Sequence, residues 1–533
     1  MHYRTDIAII GGGLAGLATA FELLDTGRKI ILFDRDTESN LGGLAKESFG
    51  GIFLVNTREQ QKSGIRDNPD LALQDWLSFA AFEDGDVWPR RWAEQYVSRC
   101  REEVYDWLRV NLKIRFFPVV HWVERGLNRP GNSVPRFHMV WGTGYELNKK
   151  MIRAVREHPG LTHLEFKFQH RVTALTGGNN KVTGFSGTDE KQNSVFTCEA
   201  DHIVIASGGL SGDLSWMKDN WYKPWGSPPE ILFNGSHAFS VGDLYQAARE
   251  FNAKVSHSDL HWNYAAGVHH PNPTRKDHGL SLVPPRSAIW VNYKGRRMSP
   301  PLISSFDTRA LVEKICEQEK KYSWQIMNWK IAKKELAVSG SEFNDSIKNK
   351  NMAGFVLTLM LGNRKLLRAL KERCSDFITA GSVEELCEKM NELDDGHPVD
   401  INELKESISR YDREVDKGKE NYEDEQLIRI ELLKKYRGDR IRISGNQKIM
   451  NKSAMPLVAI REYILTRKSL GGIQTDLEGK VLNSGGQPIG GLYAAGEAAG
   501  FGGGGIHGKR SLEGTFLGNC IFNGRVVART IKG

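Results

Sequence analysis

The pattern of apolar and polar residues at the start of the chain predicts a strand, a glycine-rich turn, a helix and a second strand. The apolar run 7–10 leads into the turn 11–16, and residues 17–26 have the composition of a helix. A second apolar run at 29–33 ends at Asp34. Two strands joined by a helix in this order are typical of the βαβ unit of a parallel sheet.

Three glycines in the first turn have the GxGxxG spacing of a dinucleotide-binding turn. In that motif Gly11 makes the tight turn, Gly13 lets the backbone approach a diphosphate, and Gly16 lets the helix pack closely on the strand. The N-terminus of the helix presents free N–H groups and a partial positive charge to the same diphosphate. Asp34 ends the second strand and can accept hydrogen bonds from a ribose. The segment therefore predicts a nucleotide site, and its acid disfavours a 2′-phosphorylated nucleotide.

Two more glycine pairs, Gly42-Gly43 and Gly50-Gly51, follow directly after this unit. The stretch resembles the glycine-rich second segment of the fumarate reductase/succinate dehydrogenase flavoprotein superfamily, which also includes the 3-ketosteroid dehydrogenases and L-aspartate oxidase. The resemblance implies FAD as the cofactor. Some members link FAD covalently through a histidine in this region, whereas residues 35–50 of this chain contain none. We therefore predict non-covalent FAD.

Later segments resemble the same superfamily. A small-residue turn at 206–209 follows an apolar strand, Gly242-Asp243 precedes a helix, and Gly496-Glu497 ends a strand near the C-terminus. In the superfamily this last acid binds the ribityl chain, and the N-terminus of the final helix faces the flavin. The predicted FAD contacts are Gly11, Gly13, Leu14, Ala15, Gly16, Asp34, Arg35, Gly42, Gly43, Ser48, Gly50, Gly51, Val172, Ala206, Ser207, Gly208, Asp243, Gly496, Glu497, Gly514, Thr515, Phe516 and Leu517.

The resemblance also implies an α/β fold with two domains. We expect a Rossmann-like (GR2-type) FAD-binding domain formed by residues 1–255 and 451–533, with an α+β capping domain inserted at 256–450. Residues 310–440 are charged and helical in pattern, as such a cap requires. A side chain that handles the substrate proton must lie between the flavin and the cap.

The motifs that bind dicarboxylates in this superfamily are altered in this chain. Lys468 stands in the place of the histidine of HTxGG, and Ser511 stands in the place of the arginine of RLGGN. Arg309 could be the general acid of the cap but lacks the aspartate that usually follows. Fumarate and succinate are therefore not the expected substrates. The candidate catalytic residues, each of which could instead be surface charge or packing, are Lys468, Arg467, Arg309, Tyr264, His507 and Arg510.

The predicted activity is that of an FAD-dependent oxidoreductase, a dehydrogenase or reductase. It would transfer a hydride between flavin N5 and a C–C or enone-type unit of a small organic substrate. Two alternatives stay open: an oxidase or monooxygenase that uses O₂, and a non-catalytic flavoprotein subunit. The 13 tryptophans either line a cleft for an apolar, ring-bearing substrate or fill a large core.

Composition and charge mainly exclude other classes of protein. The chain has 533 residues, a net charge of +8 and six cysteines without a CxxC pair, so we expect no nucleic-acid partner, no metal and no Fe–S cluster. No apolar run reaches the ~20 residues of a membrane span, and we predict a cytoplasmic protein.

Glycine placement bears on the cofactor and on the electron partner. A second GxGxxG at 503–508 has no βαβ unit around it, so electrons are expected from the substrate, a partner protein or a quinone. The 55 glycines concentrate in the predicted FAD segments, and we interpret the excess as backbone that contacts a long cofactor.

Overall fold

The computed structural model describes residues 1–117, 119, 121–393 and 396–533. Its first sheet contains eight strands, and the two strands of the predicted βαβ unit are parallel neighbours in it, with Ile7 opposite Ile30. The strand order is Lys480–Leu482, Pro488–Ala494, Lys181–Asp189, Ser194–Ile205, His2–Ile10, Ile30–Asp34 and Leu164–Phe168, with His170–Gly178 paired to Lys181–Asp189.

The centre of this sheet is apolar on both faces. Ile9 and Leu32 are buried in the core on one face and Ile31 is buried in the core on the other, as expected for a parallel sheet covered on both sides. The first and last helices, Leu14–Leu23 and Thr515–Lys532, pack against each other. The α-helices of this part of the chain are Leu14–Leu23, Arg58–Lys62, Pro69–Ala80, Val87–Cys100, Trp107–Asn111, Thr143–Arg156, Leu214–Asp219, Asp243–Glu250 and Thr515–Lys532.

A second sheet, also of eight strands, is almost entirely antiparallel. Its strand order is Ile289–Val291, Tyr322–Asn328, Leu457–Ser469, His261–His269, Gly279–Val283 and Ala337–Val338, with Phe233–Asn234 and Phe377–Ala380 also paired to Leu457–Ser469. The helices of this part are Thr308–Cys316, Trp329–Glu335, Asp345–Lys348, Met352–Leu361, Arg364–Arg373, Val383–Glu392, Ile401–Asp416, Glu425–Lys434 and Arg437–Arg440. The predicted fold class, a Rossmann-like α/β domain with an α+β cap, is confirmed.

The domain boundaries stay a prediction, and one strand bears on them. Leu457–Ser469 lies at the centre of the second sheet, where it pairs with Tyr322–Asn328 and His261–His269. We predicted the return to the FAD-binding domain at residue 451. The position of this strand favours a boundary close to residue 470, because the strand completes the core of the capping sheet.

The described residues contain neither a membrane-spanning helix nor a cluster of metal ligands. No helix among them combines the length and the apolar character needed to cross a bilayer. No group of three or more histidine, cysteine or acidic side chains among them is arranged to hold a metal ion.

Candidate cofactor and substrate cleft

A long cleft runs between the two sheets and contains about 1630 Å³ of space free of protein atoms, part of it open to solvent. One end lies at the carboxyl ends of His2–Ile10 and Ile30–Asp34, and the other lies beside Lys468 and Phe516. Every predicted FAD contact lines this cleft except Gly16, Gly496 and Thr515. The sequence segments that resemble the flavoproteins therefore meet along one surface.

Two helix N-termini open into the cleft. Leu14–Leu23 begins after Gly13, and Thr515–Lys532 begins after Gly514. Neither helix has a capping side chain or an acidic residue in its first turn. Their positive dipole ends and free N–H groups suit an anionic diphosphate at the first helix and an electron-rich ring edge at the second.

The three glycines of the first turn have different surroundings. A Cβ atom added at Gly13 would meet no protein atom within 4 Å. A Cβ at Gly11, whose φ is +111°, would lie 2.3 Å from the Ala206 carbonyl oxygen, and one at Gly16 would lie 1.9 Å from the Gly11 carbonyl oxygen. Only Gly13 of these three leaves a cradle for a diphosphate, which is the fit that FAD requires.

Some glycines of the predicted FAD segments also have a packing role, and their contact with the cofactor stays a prediction. A Cβ at Gly42 would overlap the Asn148 side chain, and one at Gly51 would overlap the Phe137 ring. In the later glycine loop a Cβ at Gly503 would lie 2.7 Å from the Trp88 backbone. At these positions glycine allows close packing of protein on protein.

The acidic and basic residues at the first end of the cleft already have partners. Asp34 accepts hydrogen bonds from the Gly12 N–H at 2.5 Å and the Asp36 N–H at 2.7 Å, and burial raises the pKa of its carboxyl. Arg35 pairs with Glu190 at 2.9 Å. Asp243, in turn, accepts from Arg171 at 2.7 Å. The predicted contacts of Asp34, Arg35 and Asp243 with FAD stay predictions.

A β-bulge shapes the other end of the cleft. Lys468 is opposite Trp262 and Thr466 is opposite Asn263, so Arg467 is an extra residue in its strand. Regular alternation would direct side chains 467 and 468 to opposite faces of the sheet. Because a bulge redirects side chains locally, both line the cleft.

Lys468 and Arg467 bring positive charge to this end. The Lys468 ammonium lies 3.7 Å from the centre of the Phe516 ring and has no hydrogen bond or ion pair within the described part of the chain. Burial lowers the pKa of Lys468 to about 8. Arg467 donates to the Gly235 carbonyl at 2.6 Å. The lysine is therefore the better placed of the two to bind a group in the cleft.

Glu513 is the functional candidate that sequence reasoning missed. One of its carboxyl oxygens accepts from the Tyr264 hydroxyl at 2.7 Å and from the Trp262 indole N–H at 2.8 Å. Burial and the nearby Glu513 raise the pKa of Tyr264 well above its usual value. An acid in place of the first glycine of RLGGN was the sequence signal for this residue.

The other three catalytic candidates lie outside the cleft lining. Arg309 donates to Glu313 at 2.8 Å, and Arg510 donates to the same carboxyl group at 3.1 Å. His507 is fully buried against the Phe516 ring, and burial lowers its pKa well below the usual value. The two arginines fasten a cap helix to the loop after residue 508, so the geometry gives these three residues no catalytic support.

The aromatic side chains of the cleft are not tryptophans. Trp262 donates to Glu513 and its ring lies 6.3 Å from the Phe516 ring. No tryptophan among the described residues lines the cleft itself. Eight of the 13 tryptophans are buried and fill the core. The aromatic residues that line the cleft are Phe33, Phe49, Phe137, Phe239, Tyr264, Phe501 and Phe516.

Comparison with known proteins agrees with this geometry. The family of FAD-binding domains matches residues 6–517. The chain belongs to this family. It is 40% identical over 543 residues to the KsdD-like steroid dehydrogenase of Mycobacterium tuberculosis strain H37Rv, covering 98% of this chain and 95% of that protein. It is 39% identical to the KsdD-like steroid dehydrogenase of Mycolicibacterium smegmatis, covering 96% of each.

Solved structures share the fold. The 3-ketosteroid delta1-dehydrogenase of Sterolibacterium denitrificans superposes with a TM-score of 0.71 at 17% identity, covering 99% of each chain. An open flavocytochrome c3 fumarate reductase superposes with a TM-score of 0.69 at 19% identity, covering 99% of this chain and 78% of that one. The predicted superfamily is confirmed, and the protein is an FAD-dependent oxidoreductase.

Alanine at Gly13 and at Gly16 should have different effects. Gly13→Ala adds a methyl group where no protein atom lies, so stability of the FAD-free protein should change by less than about 1 kcal/mol while FAD binding weakens at least about tenfold. Gly16→Ala forces a methyl group onto the Gly11 carbonyl and should lower both the stability of the FAD-free protein and its affinity for FAD. Thermal unfolding and FAD fluorescence titration measure the two effects. FAD binding by Gly13→Ala at wild-type affinity would show that the diphosphate does not pass this glycine.

Proposed function

We propose that the protein is a dehydrogenase that uses FAD to exchange a hydride with a C–C bond next to a ring ketone. The observation that carries the proposal is the presence of the Lys468 ammonium and the Tyr264–Glu513 pair at one apolar end of the cleft. The names of the 40% identical relatives, steroid dehydrogenases, agree with a ring ketone as substrate. Bound FAD would supply the hydride acceptor or donor at N5.

Lys468 is suited to bind the ketone oxygen. Its ammonium faces the cleft and makes no hydrogen bond to protein among the described residues, so its N–H groups are available to the substrate. Negative charge develops on a ketone oxygen when the neighbouring carbon loses a proton. A fixed positive donor in a half-buried site stabilises that charge more than water does.

Tyr264 is suited to take the proton from the carbon beside the ketone. Its hydroxyl proton points to Glu513, at 2.7 Å, which leaves oxygen lone pairs for an incoming proton. In the oxidative direction this carbon gives a proton to Tyr264, and the tyrosine passes its own proton to Glu513. The next carbon gives up a hydride together with its bonding pair, for which bound FAD would be the acceptor. The electron pair of the C–H bond that lost the proton then forms the C=C bond. The reductive direction reverses each transfer.

The cleft walls favour a ring over a dicarboxylate. Phe501, Phe516 and Tyr264 give this end aromatic surface, and apolar walls with a few polar groups are typical of sites for compact organic ligands. Arg309 and Arg510, the arginines that might have matched a second carboxylate, are paired with Glu313. The function is therefore proposed for an enone-type substrate.

We further propose that FAD is held without a covalent bond. The histidines that line the cleft are His170 and His237, at its Asp34 end. His170 pairs with the Tyr3 hydroxyl at 3.1 Å, and His237 lies 3.2 Å from Asp36. Both histidines have partners, and both lie at the Asp34 end of the cleft and not at the Lys468 end.

The electron partner is proposed to be a quinone or a second protein. The glycine loop at 503–508 does not form a second dinucleotide site, because a Cβ at Gly502 would lie 2.9 Å from the Trp92 ring and one at Gly508 would lie 2.6 Å from the Ala80 carbonyl. Protein atoms thus occupy the space beside these two glycines.

Anaerobic bleaching of the flavin tests the function. Oxidised FAD-loaded protein is mixed with cyclic ketones and ketosteroids, and separately with succinate. The ketones should bleach the flavin absorbance and yield the enone product, whereas succinate should not. Air is then admitted: slow reoxidation that a quinone accelerates supports a dehydrogenase, and rapid reoxidation supports an O₂-using oxidase. Bleaching by succinate, or by none of the ketones, would contradict the proposal.

The protonation state of Lys468 should appear in the pH profile. With a pKa of about 8, the ammonium is charged below this pH and neutral above it, so kcat/KM for the ketone should fall roughly tenfold per pH unit above about pH 8. Lys468→Arg keeps the charge and should remove this fall. Lys468→Met should lower kcat/KM at every pH without a step near pH 8. If the fall in kcat/KM near pH 8 persists in Lys468→Met, another group causes it.

Tyr264→Phe should separate proton transfer from cofactor binding. Loss of the hydroxyl should lower kcat by roughly 10²-fold or more, with unchanged FAD content. Tyr293→Phe is the matched control, because Tyr293 also donates to a glutamate, Glu319, at 2.9 Å but lies outside the cleft. Stopped-flow reduction of the flavin measures both. Equal rates in the two variants would remove Tyr264 from the mechanism.

A further inference from the structure

The helix Met352–Leu361 presents an apolar face to solvent. Met352, Val356 and Met360 recur every four positions and Leu357 lies three positions before Met360, as on one helix face. All four are among the exposed large apolar side chains of the chain: Met352 is 51% exposed, Val356 47%, Leu357 56% and Met360 73%. Soluble helices usually carry polar residues on this face. This face, defined by these four residues, is called the apolar ridge.

The opposite face attaches the helix to the rest of the protein. The Phe355 ring lies 5.3 Å from the Phe117 ring and 6.2 Å from the Trp141 ring, measured between ring centres. None of the ten helix residues is fully buried. The helix therefore lies on the surface, with the ridge uncovered.

Basic residues lie at both ends of the ridge. Residues 346–371 contain no aspartate or glutamate, and their basic residues are Lys348, Lys350, Arg364, Lys365, Arg368 and Lys371. Three of these pair with acids elsewhere: Lys350 with Glu146, Lys365 with Asp345, and Arg368 with Glu372. Arg364 and Lys371 form no ion pair within the described residues, and Lys348 lies over the Tyr145 ring.

We propose that the apolar ridge docks this protein on the surface of an anionic lipid bilayer. Ten helical residues span about 15 Å, half of the ~30 Å hydrocarbon core, so the helix would lie in the interface and not cross it. Apolar side chains would enter the acyl boundary, and the basic residues at its two ends would meet lipid phosphates.

The charge pattern selects a bilayer over a second copy of this chain. In a symmetric dimer built on the ridge, each basic end would face the basic end of its partner or lie close to it. Like charges at the rim oppose such a contact, whereas an anionic surface attracts both ends together. An anionic bilayer can thus cover the apolar ridge and at the same time attract the basic residues at its two ends.

The ridge is tied to the cleft wall. Ser339 lines the cleft, and the next residue, Gly340, forms a bridge with Ser48, another lining residue. The chain then reaches Met352 within twelve residues. A docked protein would hold this wall beside the lipid surface. The docking proposal itself does not depend on the proposed substrate.

Vesicle sedimentation with the full FAD-loaded chain tests the proposal. Vesicles of phosphatidylcholine are compared with vesicles that also contain phosphatidylglycerol. We expect binding to the anionic vesicles to be at least about tenfold stronger, and to weaken as salt is raised. The double variant Leu357→Asp/Met360→Asp should lose at least about tenfold in binding, with unchanged FAD content.

The matched control is Val110→Asp/Val195→Asp, which alters two valines that are 63% and 69% exposed away from the ridge. It should bind vesicles as the wild type does. Failure of the wild type to bind, equal binding to both vesicle types, or full binding by the ridge variant would overturn the proposal. Sedimentation velocity gives one more outcome that would overturn it. If the wild type is a dimer that does not bind vesicles, and the ridge variant is a monomer, then a second copy of the chain covers the ridge.

Discussion

The close contact between the first and last helices is the constraint on which the cleft depends. Thr19 donates to the Gly524 carbonyl at 3.1 Å, and a Cβ at Gly524 would lie 2.4 Å from the Ala15 carbonyl oxygen. Only glycine allows this approach. Because Leu14–Leu23 and Thr515–Lys532 are packed together, their uncapped N-termini reach the same cleft. One pair of helices thus positions both N-termini, where we propose that the diphosphate and the flavin ring bind.

The strand Leu457–Ser469 joins this pair of helices to the cap. It begins in the middle of the capping sheet and ends where the Ser469 N–H donates to Glu497 at 2.8 Å. Burial raises the pKa of Glu497 to about 7 despite that bond. The bulge at Arg467 lies just before this anchor. The backbone of Lys468 is consequently held from both sides, by a cap sheet and by the FAD-binding domain, which suits the charge that we propose binds the substrate.

Local patterns predicted the first βαβ unit and most of the cleft lining, because the glycine spacing and the apolar runs encode them within a few residues. They could not reveal the role of Glu513, since its partners Trp262 and Tyr264 lie some 250 residues away in the chain. The bulge that directs Arg467 and Lys468 to one side has no signature in either residue. Local patterns likewise could not show that Arg309 and Arg510 pair with Glu313 outside the cleft lining.

Charge at the Lys468 end also explains why the cleft should reject dicarboxylates. A dicarboxylate brings two negative groups, whereas of the two cations at this end Arg467 already donates to the Gly235 carbonyl and Glu513 places an acidic group beside Lys468. Repulsion between that acid and a second carboxylate acts over a few ångströms in a half-buried site, where it is screened less than in water. A ketone offers one oxygen to Lys468 and carries no charge that Glu513 would repel. In the proposed function, the acid that accepts from the Tyr264 hydroxyl would therefore also disfavour a substrate with a second carboxylate.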